Sequence, residues 1–246
     1  MTTDPNVDAS PAPDPAIRAV AALEDQLRRG MYAFIRRTRR PVTRDEAAAS
    51  VGISRKLAAF HLDKLVEAGV LRARYEPVDG VRKVGRTPKV YEPAELDIQV
   101  SIPQRQHDLL ADILIDAVLT HAETETARGA AVRAAHNYGR QLGAAEREQA
   151  RPGRLGAERA LGLTHRLLRG HGFEPARETP TCIRLRNCPF HPLATKAPEL
   201  VCGINHAFLT GVLTGLNTEA VEAILDPRAG ECCVELRSTR SPKPRP

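Results

Sequence analysis

All five cysteines of this 246-residue chain fall in its last 65 residues: Cys182, Cys188, Cys202, Cys232 and Cys233. An isolated buried cysteine behaves as a small hydrophobe and needs no further role. Five within fifty-two residues, two of them near histidines, point instead to the chemistry of soft thiolate ligands, which select zinc, copper(I) or iron–sulfur clusters. Two ligand sets compete. Cys188, Cys202 and either Cys232 or Cys233 would give three thiolates, with a fourth position left to another group, a set suited to an iron–sulfur cluster. Cys188-Pro-Phe-His191 with Cys202-Gly-Ile-Asn-His206 would instead give two thiolates and two imidazoles, a tetrahedral zinc set. The chain carries no glycine-rich phosphate loop, nucleophile elbow or histidine–carboxylate set at catalytic spacing, so an enzyme is not expected.

The elements that must position these thiols can be read from hydrophobic period. Apolar residues at three- and four-residue spacing predict a helix over about Gln104–His121, with Leu109, Leu110, Ile113, Leu114, Ala117 and Val118 as its stripe. A second, alanine- and glycine-rich helix is expected over about Glu123–Leu142. These two are candidates for a dimer interface, or for packing within one protomer. A helix over Ala157–Arg169 follows, then alternating segments at Phe173–Glu178 and Thr181–Arg186 that read as paired strands. Pro198–Leu216 reads as a helix, and Val221–Leu225 with Cys232–Leu236 as a second strand pair.

The basic charge lies elsewhere. Residues 28–89 carry sixteen Lys or Arg against six acids, whereas residues 90–246 carry nineteen of each. A basic stretch joined to a neutral remainder is the electrostatic footprint of a nucleic-acid module. Within it, Ile17, Val20, Leu23, Leu27, Met31, Phe34 and Ile35 predict one amphipathic helix. Thr43-Arg44-Asp45-Glu46 is a capping box opening a short helix over Arg44–Ser50. Gly52 supplies a turn, Ser54 caps a helix over Arg55–Ala68, and Gly69 ends it. Ala58, Leu62, Leu65 and Val66 form that helix's buried stripe, and His61 reads as a structural histidine. A hairpin follows, Val70–Tyr75 and Val81–Tyr91 around Pro77–Gly80. This order reads as a winged helix-turn-helix, whose second helix lies in the major groove of DNA. The candidate DNA contacts are Thr43, Ser54, Arg55, Lys56, Ala59 and Lys64, with Arg82, Lys83, Arg86 and Lys89 on the wing.

Two resemblances extend this reading. Ile53–Leu71 (ISRKLAAFHLDKLVEAGVL) and Gly85–Tyr91 (GRTPKVY) resemble the recognition helix and wing of ArsR-like and DeoR-like bacterial repressors. Asn187–Ala194 (NCPFHPLA), Pro198–Asn205 (PELVCGIN) and Gly230–Leu236 (GECCVEL) resemble the C-terminal signature of SufR-type regulators, repressors of iron–sulfur assembly genes. The resemblance implies a cluster, of the 4Fe–4S type, bound through three spaced cysteines. Thirteen residues separate Cys188 from Cys202, and twenty-nine separate Cys202 from Cys232, as that signature requires. The doubled Cys232-Cys233, the extra Cys182, and His206 at an expected apolar place depart from it.

The fold class expected is α+β and mostly helical. Its parts would be a leader over 1–16, the winged helix-turn-helix over 17–92 and a linker over 93–103. A C-terminal α/β sensor and dimerisation domain over 104–237 and a basic tail over 238–246 would complete it. No run of apolar residues suits a membrane span, and the acidic, proline-rich start is unlike a signal peptide, so a cytoplasmic protein is expected. The implied partners are operator DNA and a second copy of the chain, with the metal group controlling operator binding.

Overall fold

A computed structural model describes residues 14–76, 87–95, 97–151 and 153–239. The wing residues Arg82, Lys83 and Arg86, the turn Pro77–Gly80, most of the leader and most of the tail lie outside the described residues. The chain divides after Val100 into two compact units, and the architecture is α+β with two small antiparallel sheets.

In the first unit, the single helix expected between Ile17 and Ile35 is two: α1 (Pro15–Ala22) and α2 (Gln26–Thr38). Asp25 causes the break. Its backbone is extended and its carboxylate accepts the Arg28 amide at 2.9 Å, an N-cap in the middle of an unbroken apolar period. Met31 and Ile35 are buried, but Ile17 and Val20 are exposed. After β1 (Val42–Thr43), the Thr43–Glu46 capping box forms as read, opening α3 (Arg44–Ser50). Gly52, at φ +69°, makes the turn into α4 (Arg55–Glu67), which Ser54 caps through the Leu57 amide. Strands β2 (Leu71–Tyr75) and β3 (Lys89–Pro93) pair antiparallel, and β1 adds to β3. The core beneath them includes Met31, Ile35, Ala47, Leu62, Leu65 and Tyr91. His61 is buried with it, its ring 3.9 Å from the Asp25 carboxylate.

The second unit begins with α5 (His107–Leu119), which starts three residues later than expected. Leu109, Leu110, Ile113 and Ala117 are buried, whereas Leu114 and Val118, assigned to the same stripe, face outward. Helix α6 (Ala127–Ala150) starts later and runs eight residues beyond its expected end, the helix propensity of Ala144–Ala150 being high. Helix α7 (Ala157–Arg169) has the expected bounds. Strands β4 (Pro175–Thr179) and β5 (Cys182–Leu185), short helix α8 (Leu193–Lys196), long helix α9 (Pro198–Gly215), and strands β6 (Val221–Leu225) and β7 (Val234–Ser238) complete it. The two strand pairs join through β5 and β7 into one sheet of order β4-β5-β7-β6, so this unit is α+β, with no parallel pair to make it α/β.

The small residues of α6 serve the interior of the protomer. A Cβ on Gly139 would stand 2.0 Å from the Phe208 carbonyl oxygen, and one on Gly143 would stand 2.2 Å from that of Val212. The relation is reciprocal: Gly211 and Gly215 of α9 leave the same room for the carbonyls of His136 and Arg140. Four glycines thus let two helices touch backbone to backbone, and the face of α6 considered for a dimer contact is covered by α9. Among the described residues no helix is long and apolar enough to cross a membrane.

Candidate metal centre and candidate nucleic-acid interface

Three separate segments carry the C-terminal thiols. Cys188 sits in the loop between β5 and α8, and Cys202 begins the second turn of α9. Cys232 and Cys233 lie in the loop entering β7, two residues short of the strand expected to contain them. The sheet brings these together. β5 and β7 are neighbours, and the Cys232 amide donates to the Leu185 carbonyl at 2.8 Å, drawing the pair onto the end of β5. Arg184 of β5 fixes the same loop from beneath. Only 2% of its side chain is exposed, and its guanidinium pairs with Asp226 at 2.8 Å, Glu231 at 3.1 Å and Glu235 at 2.8 Å.

The outcome is a run of four thiols. Cys188 is an interacting neighbour of Cys232, Cys232 of Cys233, and Cys233 of Cys202. Hydrogen bonding from Cys232 favours the Cys188 thiolate, helped by the Phe190 and His191 amides aimed at its sulfur. The same neighbour, with Cys202 and Asn205, lowers Cys233 to about 6. Burial raises Cys202 to about 12, and its hydrogen bonds to Cys188 and Cys233 keep Cys232 protonated to well above the usual thiol range. Buried Asn205 donates its amide to Cys232 at 3.0 Å. Cys188, Cys202 and Cys233 line a cleft of about 540 Å³ together with His191, Arg105 and Arg186, while Cys232 is fully buried behind them.

The histidines behave differently. His191 lines the cleft, its Nδ1 3.5 Å from the Thr195 hydroxyl. His206 does not: its Nε2 donates to the Ala223 carbonyl at 3.0 Å, on the β6 side of α9, so the two-cysteine, two-histidine zinc set is not assembled. Cys182 also stands apart. It is buried, 3.7 Å from Glu235, and with Glu178 and Glu235 forms a group whose ligand atoms lie within 4.8 Å of one another, a spacing that could hold a metal ion. Both carboxylates there are already engaged, Glu235 with Arg184 and Arg237, and Glu178 with Arg228. Residues that sequence reasoning passed over are Arg184, Asn187 and Asn205. Asn205 was detectable as a polar residue inside the apolar run of α9, three positions after Cys202.

On the first unit, Thr43, Arg55 and Lys89 line a polar cleft of about 320 Å³, joined by Arg44 and Tyr75, which the sequence did not single out. Ser54, Arg55 and Lys56 are exposed at the start of α4, Lys64 is exposed further along, and Ala59 is half-buried. Each long cation but Lys56 has an acidic neighbour: Arg55 with Asp45 at 3.2 Å, Lys64 with Glu67 at 2.8 Å, and Lys89 with Asp63 at 2.8 Å. The Thr43 hydroxyl donates to the Glu46 carboxylate at 2.8 Å and accepts from the Glu46 amide at 3.3 Å, opening α3. No protein-family model matches the chain, and no curated protein matches it.

Proposed function

We propose that the chain is a DNA-binding transcriptional regulator, most plainly a repressor, whose operator binding is governed by an iron–sulfur cluster held at Cys188, Cys202, Cys232 and Cys233. The observation that carries the reading is the convergence of four thiols from three distant segments on one cleft. A single tetrahedral ion needs sulfurs about 3.8 Å apart in every pairing, given bonds of about 2.3 Å. These four are linked in a line, and no three of them join a group within 4.8 Å among the described residues. A polynuclear group, in which each iron takes its own thiolate, does not require the four sulfurs to meet at a single point. Bound there, it would supply an oxidant-sensitive redox centre. The Asn205 side-chain amide donates to the Cys232 sulfur, and the Phe190 and His191 backbone lies where it favours a thiolate at Cys188.

The first unit supports the DNA half. Its α3, turn and α4, followed by the β2–β3 hairpin, follow the order of a winged helix-turn-helix. In that reading α4 enters the major groove with Ser54, Arg55 and Lys56 foremost, and Lys89 meets phosphate beside Arg44. A second copy of the chain is the partner proposed for α5. Val118 and Leu119 are each 77% exposed, and they border a groove of about 640 Å³ lined by Leu114, Ala117, Ala130 and Leu200. Ridge and groove on one face are what a twofold contact requires, since the same patch must serve both sides.

Purification without oxygen tests the proposal. A brown protein with iron and sulfide in stoichiometric amounts is expected, with colour lost in Cys188→Ser and Cys202→Ser and operator affinity altered with it. A colourless wild-type protein containing zinc, or operator affinity indifferent to both substitutions, would overturn it.

A further inference from the structure

Between β3 and α5 the described residues form no helix or strand, and the last of them are sewn to the cysteine loop. The Arg105 guanidinium donates to the Asn187 side-chain oxygen and to the Cys188 carbonyl, each at 2.7 Å. The Asn187 amide donates back to the Gln104 carbonyl at 3.1 Å and to the Gly172 carbonyl at 2.8 Å. The Gln106 backbone N–H donates to the Pro189 carbonyl at 2.9 Å, and the His107 Nε2 to that of His191 at 3.1 Å. Six hydrogen bonds therefore bear on one five-residue loop, five of them shared with residues 104–107. Three of the six use backbone carbonyls of the loop, at Cys188, Pro189 and His191, and three use the Asn187 side chain, so the bonds depend on the path of that loop and on Asn187.

The geometry points to Arg105 and Asn187 as positioning residues that transmit the state of the cysteine centre to the chain segment leading to the DNA-binding unit. The inference rests on the proposed cluster-controlled regulator. A group bound through Cys188 holds residues 187–191 in the one path that offers the Asn187, Cys188, Pro189 and His191 acceptors together. Releasing Cys188 frees that path, and the Gln104–His107 strap loses its partners in concert. The strap is continuous with the linker, so its order sets how freely the first unit is tethered. Neither residue needs to touch the metal group for this to operate.

Two measurements test it on the full chain, loaded with iron and sulfide or stripped by chelator. The first is hydrogen exchange at Gln106, whose amide reports the strap directly. In wild type it should be protected when loaded and exchange at least about tenfold faster when stripped; equal exchange in both states overturns the inference. The second is the ratio of operator affinities between loaded and stripped protein, compared at matched iron content. Couplings of this kind amount to about 5- to 150-fold, and Arg105→Ala should bring the ratio to within about twofold of unity while Arg105→Lys keeps part of it. A full wild-type ratio in Arg105→Ala, and in Asn187→Ala should the first fold poorly, refutes the link. If wild-type affinity ignores loading while Gln106 still responds, the strap stands and the cluster-controlled reading falls.

Discussion

Arg184 offers the sharpest test of how the cysteine centre is held. Its guanidinium is 2% exposed and Glu235 opposite it is fully buried, while Asp226 and Glu231 are 40% and 25% exposed. Replacing Arg184 by Met removes the charge but keeps most of the volume, leaving Glu235 with Arg237, a half-exposed cation, as its ion-pair partner. Breaking a buried pair from one side costs about 3–5 kcal/mol, because the surviving charge stays desolvated. The bonds to Asp226 and Glu231 add little, since partly exposed pairs contribute at most about 1 kcal/mol. With a urea slope of about 2 kcal/mol per molar, the unfolding midpoint of the second unit should fall by about 2 M. Far-UV circular dichroism across a urea series reads this directly. The double variant Arg184→Met with Glu235→Gln should recover much of the loss, because no fully buried carboxylate is then left short of a cation, Glu231 being part-exposed. A single-variant loss below about 1 kcal/mol, or a double variant whose loss is the plain sum of the singles, would refute the argument. Glu231 immediately precedes Cys232, so the single variant should also load less iron.

Gly211→Ala would place a Cβ 2.1 Å from the His136 carbonyl, so α6 and α9 must part. A loss of about 3 kcal/mol or more is expected by thermal unfolding, and a change within about 0.5 kcal/mol would show that the helices are free to separate. Asp63→Asn removes the anion beside Lys89, so affinity for non-specific duplex DNA should rise and its salt dependence steepen by about one counterion; unchanged binding removes Lys89 from the interface. Hydrogen bonding from Arg40, then from the Thr43 amide and hydroxyl, holds Glu46 at about 2 against 4.5 when unperturbed. Its contribution is therefore complete above the unfolded value and is lost as pH falls towards the folded one. A side chain 32% exposed reduces the linkage to about 1–2 kcal/mol, so the advantage of wild type over Glu46→Gln should narrow between about pH 5 and pH 2.5. A constant difference across that range would assign it to lost hydrogen bonding rather than charge.

Caps and turns were the most legible part of the fold. Thr43 and Ser54 through side-chain caps, and Gly52 through its positive φ, act within a few residues, and α3 and α4 appear where those signals place them. Apolar period was a poorer guide to boundaries. The stripe from Ile17 to Ile35 runs across Asp25 in sequence, yet Ile17 and Val20 before the break are exposed while Met31 and Ile35 after it are buried, and only the capping carboxylate marks the break. The period also could not say which side of α5 is covered, since inward and outward positions differ by a single step; Ile113 is buried and Leu114 is not. The destination of the α6 glycines was equally hidden, because their complement on α9 lies seventy residues away and matches by shape alone.

The cysteine pair shows the same division between local and distant information. From sequence, Cys232 and Cys233 are alternatives for one ligand position, and alternation within a strand would have sent one of them to the far face of the sheet. Both instead precede β7, released from that alternation, and each finds its own neighbour: Cys232 meets Cys188 in the interior, and Cys233 meets Cys202 at the cleft. The doubling thus joins two pairs into one run, and in the proposed cluster site the buried thiol would supply what three cysteines would have to take from another group. Cys232→Ser should therefore weaken iron retention along with Cys233→Ser, rather than being silent as a spare. If Cys232→Ser loads and holds iron as wild type does, the fourth ligand is elsewhere, and His191, the one histidine lining the cleft among the described residues, becomes the residue to replace next.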